Sequence, residues 1–440
     1  MKSTFRTLLA AALLTAPAAA AFAQTVPTAA TDTARIVLDA SVVNSVNTQS
    51  YFLFRQAVRP LIEQMGDKKV VALGEGTHGT AEFYKLRFWL TRILMEDKGF
   101  TQVALENSYG DCYRLNQALH SATLDDLKPL MKKHLLSIWQ NRETEEMLNW
   151  MHTYNTSHLR KVELAGIDAM YGTAAAELLR ETLAHSTPEI VALTQQLVQQ
   201  TTLQAQIWTN LNDRSIPFKR PEMMANGWAG YETTEQLAQA LKKVKLPKKQ
   251  RAAVAGAVQS LQLHFDTFYQ PKVNKRESSR DSVMAEMTKF LVRGKGSKVI
   301  IWAHNAHVSR SLPVPGDNNG GGTGKFLERA FPGQYFVLGT STATGTVAAT
   351  THRFITTASP MAAYPLDAPV AGSWEQAFNL VTPATFYVNT RQLTAAGQKH
   401  PHRLVGYSPQ SGADSYYPLA LSRAYDALLF VRQTTAATPL

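Results

Sequence analysis

The sequence predicts an α/β protein: a mostly parallel central sheet flanked by helices on both faces, with a helical insertion. Three observations predict it. Short, near-continuously apolar runs recur along the chain, the pattern of strands covered on both faces. Helical stretches separate several of them, and strand–helix–strand at that spacing calls for parallel pairing. One long stretch, from Ala174 to about Asp266, carries helical periodicity and no convincing strand.

Taken in order, the first 23 residues read as an export signal. Lys2 and Arg6 make a positive start, Thr7 to Ala21 is Ala/Leu-rich, and Ala21-Phe22-Ala23 is a small-x-small cleavage site. The apolar run is too short to span a bilayer. Residues 24–34 form a loose leader, and the mature chain is expected in the periplasm or outside the cell. The α/β domain takes residues 35–173 and 276–440, and the helical insertion takes residues 174–275.

Val70–Leu73, Gln102–Leu105, Val162–Ile167, Val299–Trp302 and Tyr335–Leu338 are the expected strands, with Phe386–Val388 and Leu428–Val431 as weaker ones. Between the first two, Phe83, Leu86, Leu90 and Leu94 fall on one helical face, with Thr80 placed to cap and Gly99 to terminate. In the insertion, helical segments lie near residues 175–184, 189–203, 232–243 and 250–265, and a further helix over Arg276–Val292 feeds the Val299 strand. The glycine-rich segment Pro313–Gly324 sits between two core strands, and its placement suits a lid over a site.

Composition narrows the function. Of the 440 residues 45% are hydrophobic and 18% charged, ample material for a core. The single cysteine, Cys112, excludes an intrachain disulfide. The net charge of +11 peaks in "KKVKLPKKQR" (Lys242 to Arg251), which lacks interleaved aromatics and reads as solvated helix ends, so no nucleic-acid partner is expected. No G-x-S-x-G, phosphate loop or dinucleotide fingerprint is present; "GGGTGK" has neither the spacing nor the preceding strand.

Chemistry concentrates where strands end. The first strand delivers Glu75 and His78, the second Glu106 and Asn107, the third Asp168, and the fourth His304, Asn305 and His307. In a parallel sheet the carboxyl ends share one edge, and ligands bind there. Gly74, Gly76 and Gly79 allow a tight turn around Glu75 and His78. Arg87 follows on the first helix, where it could equally be an ion-pair partner of Glu106, and Arg280 opens the helix before the fourth strand. Two histidines and a carboxylate could also compose a divalent-metal site, although no local spacing such as H-E-x-x-H occurs.

Five blocks, "GEGTHGTAEFYKLR", "VALENSYGD", "LAGIDAM", "RDSVMAEM" and "KVIIWAHNAHV", resemble the erythromycin esterase family in order and spacing, as do the later "GSWEQAF" and "YDALLFV". The resemblance implies a hydrolase with an α/β core. It implies that His78 is the base that activates water against an ester or macrolactone. It also implies catalytic positions for Glu75, Glu106, Arg87, His304 and Arg280, with His307 following; Asn107, Asp168 and Asn305, at the same strand ends, are expected with His307 near the substrate. No cofactor is favoured. A metal-dependent hydrolase using Glu75, His78 and His304, and a non-catalytic envelope protein that binds a small ligand, are the alternatives. Gly76 departs from relatives that carry alanine there, a change expected to affect flexibility alone. A macrolide would need an apolar cleft, for which Trp139, Trp208, Trp228, Phe265, Phe268 and Tyr269 are candidates.

Overall fold

A computed structural model describes residues 36–440, apart from 125, 214, 218, 274–277 and 312–321. The expected export signal and leader, most of the glycine-rich segment, and the side chains of Phe268 and Tyr269 lie outside the described residues.

Eleven strands are present among the described residues: β1 (Asn44–Ser45), β2 (Val70–Glu75), β3 (Gln102–Leu105), β4 (Glu163–Gly166), β5 (Val299–His304), β6 (Tyr335–Ala349), β7 (Ala362–Pro365), β8 (Thr385–Asn389), β9 (His400–Arg403), β10 (Tyr416–Leu419) and β11 (Ala427–Thr434). Nine form one sheet in the order β1-β8-β11-β6-β2-β5-β3-β4, with β7 beside β6. Pairing is parallel from β11 through β4. Strands β8, β1 and β7 join antiparallel.

Alternation along the strands divides the core into two layers. Val71, Leu73, Val103, Leu105, Ile300 and Trp302 face one side, against Phe54, Leu61, Leu90 and Met147 of covering helices. Val70, Ala72, Ala104, Val299, Ile301 and Ala303 face the other, against Leu179, Leu197, Leu237, Leu261 and Met284. Both faces are therefore covered, which explains the unbroken apolar runs. Each fully buried aliphatic side chain contributes about 1.5–3 kcal/mol of transfer free energy. Between β4 and β5 the chain is helical (Thr173–Thr182, Pro188–Asn210, Arg220–Leu241, Lys248–Val273 and Arg280–Leu291). These helices share a core with the sheet face, and Pro247 closes the break between two of them, just before Lys248.

The structure also departs from the sequence pattern. Strand β6 runs eleven residues past Leu338, to Ala349. Its continuation is Gly-, Thr- and Ser-rich and reads as a loop, yet Thr340, Ser341 and Thr342 are buried, their hydroxyls bonded to neighbouring segments. The β9–β10 hairpin and the helices Tyr51–Ala57, Arg59–Gly66, Tyr109–Leu119, Leu127–His134 and Arg142–Ser157 are not isolated by periodicity alone. Thr80 is at the helix start, but its hydroxyl bonds Thr77 instead of capping.

Candidate active site

Glu75 ends β2 and stands in register with His304, the last residue of β5. Its carboxylate is fully buried and both oxygens are used. Oε1 lies 2.6 Å from His78 Nδ1, and Oε2 accepts from Arg87 at 2.6 Å. A carboxylate at Nδ1 fixes the tautomer with that nitrogen protonated and leaves Nε2 as the basic atom. His78 Nε2 has no hydrogen-bond partner among the described residues, and the ring is 5% exposed. The His304 ring lies alongside, 4.8 Å between centroids. The backbone of the same turn is held by Val405, whose carbonyl accepts from His78 N at 3.2 Å and whose N–H donates to Gly76 O at 2.9 Å.

A second cluster adjoins it. Arg280, first residue of its helix, sends Nη2 to Glu106 Oε1 and Asp168 Oδ2, each at 2.7 Å. Its Nε lies 3.2 Å from Asp168, and Nη1 3.1 Å from His307 Nε2. The other Glu106 oxygen accepts from the backbone N–H of His304 at 2.9 Å, which ties this cluster to the first. His307 Nδ1 donates to Asp281 at 2.8 Å. Burial alone would raise the Glu106 carboxyl, but His307, Arg280 and His78 outweigh it and hold it well below the usual range. Burial opposes the Arg280 charge, yet Asp168 and Glu106 raise its pKa and keep it cationic. Burial, then the neighbouring His78, pushes His304 well below the ordinary histidine value, so that ring is neutral.

Glu75, His78, Glu106, Asp168, Arg280, His304 and His307 are thus brought together at one sheet edge. Three other candidates have different surroundings. Arg87 pairs with Glu75 rather than Glu106 and is wholly buried behind it, its guanidinium 4.5 Å from the Trp302 ring, 5.0 Å from Tyr84 and 5.6 Å from Trp139. Asn107 donates from Nδ2 to the His134 carbonyl and accepts at Oδ1 from the Leu136 N–H. Asn305 binds both the N–H and the carbonyl of Thr340. These two carboxamides were expected at a ligand; being buried and spent on backbone, they brace the site instead. His304 likewise has both ring nitrogens engaged, Nε2 toward Val405 O at 3.1 Å and Nδ1 from Ala306 N at 3.2 Å. Trp139 and Phe265 are sealed in the core rather than lining a cleft. Among the described residues, no group of three His, Cys, Asp or Glu side chains is arranged to hold a metal ion.

The sequence model of the erythromycin esterase family matches residues 95–434, more than half of the chain. The chain belongs to the erythromycin esterase family. The matched interval contains Glu106, Asp168, Arg280, His304 and His307 and begins after Glu75, His78 and Arg87. Two Escherichia coli relatives align in part. Erythromycin esterase type II is 34% identical over 110 residues, 25% of this chain and 26% of that protein. Erythromycin esterase type I is 26% identical over 267 residues, 55% of this chain and 62% of that protein. The chain therefore matches less than two thirds of either relative's length. In fold, it is similar to a mutant of the erythromycin esterase EreC in its open conformation, with a TM-score of 0.65 at 19% identity over 87% of this chain and 95% of that one.

In this erythromycin esterase family member, sequence reasoning missed three contributors. Asp281 neighbours Arg280 in sequence, yet it serves His307. Val405 acts through its backbone and leaves no side-chain signature. Thr340 lies in the part of β6 that reads as a loop, and its hydroxyl reaches Gly74 and Gly76.

Proposed function

We propose that this protein is a hydrolase that cleaves a carboxylic ester or macrolactone by direct attack of water. The observation that carries the proposal is the 2.6 Å contact between Glu75 and His78 Nδ1, which leaves Nε2 unpartnered. In the reaction Nε2 takes a proton from water while the water oxygen bonds to the ester carbonyl carbon. The tetrahedral oxyanion collapses, the bond from carbon to the alkoxide oxygen breaks, and the proton passes from His78 to that alkoxide. The products are an acid and an alcohol. Base catalysis of this kind contributes about 10²–10⁴-fold.

Arg280 is our candidate for the oxyanion donor. Of the cationic candidates it is the one with an exposed fraction, 23% of its side chain, whereas Arg87 has none. An oriented donor of this type is worth about 10²–10³ in kcat. Glu106 and Asp168 orient Arg280, and Glu75 orients His78. For His304 to protonate a leaving group, its Nε2–H would have to leave the Val405 carbonyl. The substrate is a small molecule, and we propose export to the periplasm or beyond.

The test is mass spectrometry of macrolides and simple esters incubated with the protein in ¹⁸O-labelled water. One labelled oxygen in the acid product is expected, with turnover lost in His78→Gln. Full turnover by His78→Gln would refute the base assignment. Turnover lost on chelation and restored by one divalent ion would replace this reading with a metal-dependent one.

A further inference from the structure

Both oxygens of Glu75 are committed, one to the base and one to Arg87, so small rotations of its backbone would pull the carboxylate off His78. Those rotations are set by the two peptide groups that flank it. A single side chain holds both. The Thr340 hydroxyl donates to Gly74 O at 3.2 Å and accepts from Gly76 N at 2.9 Å. It thereby bridges the residue before Glu75 and the residue after it. Thr340 is itself 1% exposed and fixed through its backbone, with its N–H on Asn305 Oδ1 at 3.2 Å and its carbonyl on Asn305 Nδ2 at 2.8 Å. The contact is close enough to exclude side chains from the turn. A Cβ on Gly74 would lie 2.2 Å from Asn305 Oδ1, and one on Gly76 would lie 2.5 Å from Thr340 O.

We propose that Thr340 is a positioning residue for the Glu75–His78 pair, acting through a hydroxyl clamp on the two peptides around Glu75. A buried hydroxyl that only satisfied a stray N–H would support stability without setting the direction of a neighbouring carboxylate. The clamp does both. The catalytic consequence rests on the reading of His78 as the base; the geometric one does not.

The experiment separates them. The proton shared by His78 Nδ1 and Glu75 should give a low-field ¹H resonance, assigned by its loss in His78→Gln and Glu75→Gln. Thr340→Val keeps the shape but removes the hydroxyl, and Thr340→Ala removes it without any risk of crowding. In both, with the circular dichroism spectrum unchanged, the resonance should broaden away, and Thr340→Ser should restore it. On whichever ester is turned over, kcat should fall about ten- to a hundredfold in Thr340→Val and stay within about twofold in Thr340→Ser. A resonance that persists in either folded hydroxyl-free variant would overturn the proposal, whether or not the protein proves to be an esterase. If the wild-type spectrum lacks the signal, the Glu75–His78 bond itself is refuted and the clamp with it.

Discussion

Glu106 and Arg280 lie 174 positions apart in the chain and meet at 2.7 Å. The contact joins the residue just past β3 to the first turn of the Arg280–Leu291 helix. A cation at a helix N-terminus opposes the helix dipole. Here Glu106 and Asp168 offset that cost, so the arginine is held by carboxylates from two strand ends. Substituting it therefore tests geometry as well as charge.

Arg280→Lys keeps the charge and loses the fork. One ammonium cannot serve Glu106, Asp168 and His307 in the arrangement seen here. We expect kcat/KM on the identified ester to fall about 10²-fold, the loss of one oriented donor. Steady-state kinetics read it, and unchanged kinetics would remove Arg280 from the chemistry.

Arg87 is a question of stability. Arg87→Met removes the guanidinium from its buried pair with Glu75, a change that costs about 3–5 kcal/mol. Arg87→Lys should fall between that variant and the wild type, because an ammonium cannot reproduce the guanidinium's contacts with the Trp302, Tyr84 and Trp139 rings. Urea denaturation at neutral pH orders the three proteins.

Gly76→Ala should be harmful here, contrary to the expectation that it changes flexibility alone. The added methyl meets Thr340 O at 2.5 Å. Overpacking of this kind costs about 1–3 kcal/mol. Thermal melting should show a lowered Tm, and an unaltered Tm would mean that β6 gives way freely.

Acid should destabilise the fold before it reaches the carboxylates. Burial and then His78 depress His304, so below its ordinary value of 6.5 the unfolded ring takes up a proton that the folded ring refuses. Its stabilisation is complete above pH 6.5 and is lost as pH falls toward the folded value. Glu106 has the same sign and adds its loss below pH 4.5. His307 opposes them: burial is outweighed by Asp281 and Glu106, and its raised pKa favours the folded state in acid. The His307 contribution is already fully present below pH 6.5, where the His304 loss sets in, so the urea midpoint should fall between pH 6.5 and pH 5. A midpoint that rises over this interval would contradict the assignment.

Much of the fold was legible because burial on both faces writes itself as unbroken apolar runs, and β2, β3 and β5 start where those runs start. The charged members of the site were legible because each strand end terminates in a polar residue that a core has no use for. The remainder was hidden for physical reasons. Asn107 and Asn305 look like ligand contacts in a string of letters, since an amide that braces backbone and one that grips a substrate are the same residue. Thr340 sits among Gly, Ser and Thr, whose pattern says loop until neighbouring hydroxyls are seen to satisfy it. Val405 contributes a carbonyl, which every residue possesses.

The position of β5 between β2 and β3 has a consequence for how a growing polypeptide matures. The two earliest long strands never touch each other; each waits for a partner that begins at Val299. A nascent chain that has emerged only to its midpoint can pair β3 with β4 and nothing more at the centre. Glu75 and His78 are therefore translated early and organised late, and the interval between is when the apolar faces of β2 and β3 are most open to capture by a chaperone or by another unfinished copy.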